Sequence, residues 1–180
     1  FDDFYARTGK DAVSPEPPPA GSATGGDING QAPGNGYKYH TYTTTGASTF
    51  VVSGGDLSNC EIFVVGGGGS GGKSDAGGGG AGGIALATNK TLSPGTYPVT
   101  VGGGGAGVSS PGRGNDGSNS SFVTPGYTIT GNGGGAGGAY PNLAGNPGGS
   151  GGGNNGQDNN PVSASQPSAN PGIPNVTNYG

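Results

Sequence analysis

The chain has 180 residues, of which Gly 47 and Pro 15 supply about a third; apolar residues make up only 28 %, and Trp and Met are absent. The glycines do not recur at every third position, which excludes collagen. Side chains this sparse cannot fill an ordinary core, so order has to come from closely packed backbone, from partner subunits, or from both. The formal charge is −4 with six basic residues, and Lys38, Lys73 and Arg113 are scattered. No basic stripe exists to track phosphates, so nucleic acid is not an expected partner. No apolar run reaches the ~18 residues that cross a bilayer.

Residues 1–36 read as an N-terminal arm and linker. Phe1, Phe4 and Tyr5 stand ahead of Ser14-Pro15-Glu16-Pro17-Pro18-Pro19, a stiff polyproline-like spacer. Aromatic anchors before a stiff spacer suit a peptide that docks on another protein, which makes Phe1, Phe4 and Tyr5 the candidate docking residues; the competing reading is a chain end held by packing alone. Residues 20–36 are rich in Gly, Ala and Asn and read as loop.

Strands are expected from Tyr37. Tyr37–Tyr42 alternates, Thr49–Val52 follows a turn at Thr45-Gly46, and Cys60–Val65 places Cys60, Ile62 and Val64 on one face and Glu61, Phe63 and Val65 on the other. Cys60 is the single cysteine, which excludes an intramolecular disulfide and a multi-cysteine zinc site; it reads as a small buried apolar residue. Ile84–Thr88 and Tyr97–Val101 flank Ser93-Pro94-Gly95-Thr96. Pro then Gly at the centre of a turn predicts a type II turn and a hairpin. Pro98 lacks a donor, which predicts an edge strand or a bulge. Ser121–Val123 and Tyr127–Thr130 complete the strands, and no stretch has a helical period.

Between these strands lie five glycine runs, starting at 66, 77, 102, 133 and 151. A solvated tether would not alternate with strand-like segments in this way. Glycine lets one backbone lie directly against another. The runs are therefore expected to pack as polyglycine II-like rods, with three residues per turn, about 3.1 Å rise and no internal hydrogen bonds, so that each N–H must bond to a neighbouring rod. The expected fold is all-β: short antiparallel strands, sandwich-like, followed by packed glycine rods, with no substantial helix. The expected divisions are 1–36, a glycine-rich β domain at 37–138, and a Gly/Asn/Pro-rich extension at 139–180 that continues in a longer chain.

Chemistry-like motifs are weak. Gly67 to Gly72-Lys73-Ser74 matches the phosphate-loop spacing and follows a strand. A nucleotide site also needs a helix starting at the lysine, and Asp75-Ala76-Gly77-Gly78 cannot make one. His40, the only histidine, has no nucleophile turn beside it. Asn115-Asp116-Gly117 reads as a turn before it reads as a weak calcium loop. Asn89, Asn119 and Asn175 head glycosylation sequons, which matter only in a glycosylating source. No enzyme, cofactor or metal is expected.

The order of parts carries a resemblance. Tyr37 through Val52, Ile62 through Gly69, Gly77 through Gly83, Ser93 through Gly105, and Asn115 through Phe122 resemble, in matching order over about 37–138, the glycine-rich domain of tailed-bacteriophage tail-fibre and other virion fibre proteins. The resemblance implies a β-structured lead-in followed by packed glycine segments, in a virion fibre or adhesin that is often trimeric. Its implied partners are other virion proteins and a host surface glycan or protein, and it offers no catalytic residues. On that analogy, recognition falls in the non-glycine insertions, with Arg113, Asn115, Tyr140 and Asn142 as contact residues; the competing reading is that these loops merely close one rod onto the next. An adhesin module is the second functional reading. An extracellular matrix or ice-binding protein is the third, supported only by the short row Thr41, Thr43 and Thr45.

Overall fold

A computed structural model describes residues 19–141, 144–157, 162–167 and 173–180. The strands in chain order are β1 (Ser22–Thr24), β2 (Ile28–Gln31), β3 (Tyr39–Thr41), β4 (Gly46–Ser53), β5 (Leu57–Val65), β6 (Ile84–Leu92), β7 (Gly95–Val101), β8 (Ser120–Val123), β9 (Thr128–Gly131) and β10 (Val176–Tyr179). No helix occurs among the described residues, and all ladders between these strands are antiparallel. The chain is all-β, as its period-two segments predict.

One sheet runs β1-β4-β7-β8-β9, a second runs β10-β6-β5, and β2 pairs with β3 apart from both. The alternation in sequence decides which face is buried. Phe50 and Val52 of β4, Tyr97 and Val99 of β7, Phe122 of β8 and Ile129 of β9 point inward from the first sheet. Ile62 and Val64 of β5 with Ala85, Ala87 and Leu92 of β6 meet them from the second. Phe63 and Val65, one residue out of phase, stay exposed. Each large inward side chain contributes roughly 1.5–3 kcal/mol through burial, so this small core is the chain's main apolar source of stability. Its centre is aromatic: Tyr97 stacks on Phe122 at 5.7 Å and 18°, and His40 sits edge-on to Phe50 at 5.1 Å.

Several expectations are corrected. The β6–β7 connection is not a hairpin. β6 pairs with β5 and β10, whereas β7 pairs with β4 and β8, so Ser93-Pro94 crosses between the two layers. Gly95 is not in the left-handed region, so the type II turn does not form. Both strands bring alternate apolar residues to the same core, and they do so from opposite sides. Pro98 lies on an internal strand, opposite Thr49 of β4, just beyond the two positions, Val99 and Thr100, where β8 pairs. Residues 20–36 are not all loop: β1 extends the first sheet beside β4, and β2 pairs with β3. Cys60 is half-buried at an irregularity of β5, where Asn59 is left-handed, and its Sγ donates to the Leu57 carbonyl.

The true hairpin partners are strands separated by glycine. β5 runs into 66–72, which returns as 77–83 into β6; β7 runs into 102–107, which returns as 112–118 into β8; and β9 runs into 132–138. Backbone bonds tie these segments together every third residue. Gly66, Gly69 and Gly72 donate to Gly83, Gly80 and Gly77, while Gly67, Ser70 and Lys73 donate to Ser118, Asn115 and Gly112. Gly77, Gly80 and Gly83 donate in turn to Gly138, Gly135 and Asn132. A strand sends its N–H groups alternately to two sides. A spacing of three serves three sides and matches the period of a polyproline II-type backbone.

Segment 132–138 is the hub. Its N–H groups reach Gly67, Ser70, Ser150, Gly153 and the side chains of Gln166, Asn119 and Asp116. Its carbonyls accept from Gly83, Gly149, Gly117, Gly80, Asn146, Gly114 and Gly77. Every backbone donor and acceptor from 132 to 138 has a partner, as a buried main chain requires. Glycine is what permits this approach: a Cβ on Gly134 would lie 2.0 Å from the Gly80 carbonyl oxygen.

Candidate functional site

The glycine segments leave the sandwich at Val65, Val101 and Gly131, so the links between them gather at the far end. Backbone bonds fix this: Lys73 and Gly112 bond each other in both directions, and Tyr140 N–H donates to the Ser74 carbonyl. Segments 73–76, 107–113 and 139–141 therefore form one tip.

Two of the four expected contact residues, Arg113 and Tyr140, are brought to this tip on either side of Lys73-Ser74. Arg113 is half-buried, and its Nε is shut from water without a hydrogen bond among the described residues. The Tyr140 ring is 45 % exposed. Asn115 is exposed on the stem rather than in the tip links: its Nδ2 donates to the Ala106 carbonyl at 2.7 Å and its N–H to Ser70 Oγ at 2.8 Å, so it also braces two glycine segments. Asn142, Phe1, Phe4 and Tyr5 lie outside the described residues.

Asn115-Asp116-Gly117 is not a turn. Asn115 O accepts from Ser70 and Gly117 donates to Gly134 within an extended segment. The Asp116 carboxylate stands in for a missing backbone acceptor, taking the Ala136 N–H at 2.7 Å and the Asn146 amide at 3.0 Å. Asn119 does the same for Gly133 at 2.7 Å. These two residues are three apart, as are the amides they satisfy. That shared spacing was the available signal for a period-three lattice. Gln166 carried no such signal: it is buried, accepts from Asn132 N–H through Oε1 and donates through Nε2 to the Thr130 carbonyl.

The residues with chemical potential are otherwise tied down. Lys73 Nζ donates to the Ser109 carbonyl at 2.5 Å, and Ser74 and Asp75 after it are left-handed, with φ of 75° and 41°. This is a tight reversal rather than the helix start a phosphate loop requires. His40 Nδ1 lies 3.0 Å from the Gly25 carbonyl oxygen. No group of three or more His, Cys, Asp or Glu is placed to hold a metal ion among the described residues. Where the sandwich meets the glycine segments, Asp27 caps the Thr43-Thr44 turn just ahead of β4. The backbone N–H groups of Thr43 and Thr44, then the Thr43 hydroxyl, hold its carboxyl down from 3.8 to about 2. Burial pushes the Tyr97 hydroxyl up, with the Asp56 charge adding to it.

A cavity of about 400 Å³ opens at the tip, lined by Asp75, Ala76, Tyr140, Asn155, Gly156 and Gln157. Fold and tip together define a class: an all-β scaffold in which glycine backbone, rather than side chains, fills the space between the sandwich and a displayed end. The family described as a glycine-rich domain matches residues 42–180, and the chain belongs to that family. No curated protein and no solved structure matches the chain.

Proposed function

We propose that this chain is a non-enzymatic structural and display module. The sandwich is its base, the glycine segments are polyglycine II-type rods forming a stiff stem, and the tip at 73–76, 107–113 and 139–141 is its contact surface. The observation that carries this reading is the gathering of the non-glycine links at one end, held by the Lys73–Gly112 and Tyr140–Ser74 backbone bonds. A stem whose central segment, 132–138, has every main-chain group paired resists bending, because bending breaks bonds on several sides at once.

The resemblance of residues 37–138 to virion fibre domains supports placing the module on a phage-type particle, as a tail or head fibre assembled with further copies and anchored through residues 1–13. The adhesin reading is favoured over a purely structural one by the exposed Tyr140 ring at the tip. Two variants separate the roles. Removal of residues 1–13 is expected to abolish incorporation into the particle while leaving the melting of the glycine-rich domain unchanged. Replacement of 107–111 by Gly-Asn repeats is expected to leave incorporation intact and abolish surface attachment. Incorporation that survives the first deletion sinks the anchoring role, and attachment that survives the second sinks the contact role of that loop.

A further inference from the structure

Among the polar side chains around the glycine segments, most are committed. Asn115, Asp116, Asn119, Asn155 and Gln166 each hold backbone groups. At the tip the Arg113 Nε is not, and neither are three side chains of the cavity. The Asp75 carboxylate, the Tyr140 hydroxyl and the Gln157 carboxamide make no hydrogen bond within the described residues, and all three line the same cavity of about 400 Å³. The floor is rigid, since buried Asn155 donates to the Ala139 carbonyl and accepts from Gln157 N–H. One wall is held in an uncommon backbone conformation, left-handed at both Ser74 and Asp75.

We propose that this cavity is a binding site for a neutral saccharide. A partly exposed phenol ring offers an apolar platform for the C–H face of a pyranose. A carboxylate and a carboxamide beside it supply the acceptors and donors that vicinal hydroxyls need. The volume falls in the range of small-ligand sites. Among the described residues no basic side chain lines the cavity, which disfavours a phosphate or an acidic sugar, and Tyr140 is its one aromatic ring there, too small an apolar area for a protein surface. The inference rests on the display reading, because it assigns the ligand class of the tip.

Gly156 supplies a clean test. A Cβ there meets no atom within 4 Å, and its φ is outside the left-handed region, so Gly156→Leu fills the cavity without disturbing the fold. Saturation-transfer NMR on the full chain with lactose, maltose, cellobiose and chitobiose is expected to show transfer to ring protons for at least one of them. Tyr140→Ala and Gly156→Leu are each expected to weaken that binding at least tenfold, Tyr140→Phe to retain most of it, and all three variants to melt with the parent. Absence of transfer from every sugar, or binding that persists unchanged in both Tyr140→Ala and Gly156→Leu, overturns the proposal. A chain that enters particles but is silent to all four sugars fails here and leaves the display reading standing. A chain that binds sugar at this cavity supports the inference even where it enters no particle.

Discussion

Replacing Gly82 by alanine separates backbone packing from glycine's other effects. A Cβ at Gly82 would lie 1.9 Å from the Gly66 carbonyl oxygen and 2.4 Å from its carbon. Restoring ordinary contact needs segments 66–72 and 77–83 to part by more than ~1 Å. That separation breaks the Gly66–Gly83, Gly69–Gly80 and Gly72–Gly77 bonds, now 2.9, 2.8 and 3.1 Å long. At roughly 0.5–1.5 kcal/mol each, the loss is about 3 kcal/mol. Alanine's smaller unfolded-state entropy offsets only ~0.4–1 kcal/mol of it. For a chain of this size the melting temperature should fall by roughly 5–10 °C. Gly78→Ala is the matched control: it is in the same segment, no atom lies within 4 Å of its Cβ, and its φ is not left-handed. It should gain the entropic ~0.4–1 kcal/mol and melt about 1–4 °C higher. Calorimetry on the two variants decides. Equal melting temperatures for Gly82→Ala and Gly78→Ala would refute the reasoning.

The same contrast extends to valine: Gly79→Val meets the Gly69 carbonyl oxygen at 2.1 Å and should fail to fold stably, whereas Gly103→Val finds only a Thr45 methyl at 3.9 Å and should melt within a few degrees of the parent. Asp116→Ala removes the acceptor of the Ala136 N–H and should cost about 1–3 kcal/mol, measured by denaturant midpoint; Asp116→Asn, which keeps an acceptor, should recover most of it. Asp27 has a folded-state value below its unfolded one, so its cap is fully present above pH 3.8 and is lost as pH falls through about 2. NMR titration should therefore place the Asp27 carboxyl midpoint near 2, with the Thr43 and Thr44 amide shifts moving together over that window. A midpoint at the ordinary carboxylate value would remove the cap from the account. Tyr97 has the opposite sign: its raised value means that stability present below pH 10 is lost on alkaline titration, and Tyr97→Phe should flatten that loss.

The strands were legible wherever alternation met a buried face. Ile62 and Val64 against Phe63 and Val65 is a two-residue pattern that survives into the structure unchanged. Pairing was not legible, because it is decided by layers and not by turns. Ser93-Pro94-Gly95-Thr96 has the local chemistry of a hairpin, yet the strands it joins find partners across glycine segments of fifteen or more residues, in different sheets. The role of Asp116 was hidden for a related reason. Beside Asn115 and Gly117 its side chain reads as turn chemistry, and only a neighbouring segment with an unpaired N–H turns it into an acceptor. Gly79 and Gly103 look alike in the sequence, since each sits inside a run; which of them faces another backbone depends on rotation about the segment axis. Arg113 and Tyr140 could be singled out as non-glycine residues in links, but their meeting at one tip follows from the antiparallel return of each segment.

Residue-resolved amide hydrogen exchange through 132–138 tests the packed main chain most directly. Because each N–H there has a partner in one of several directions, the account predicts slow exchange at Asn132 and at all six residues after it, without a break. Alternating fast and slow sites would mean an ordinary edge strand, and uniformly fast exchange would mean a solvated tether; either pattern contradicts it.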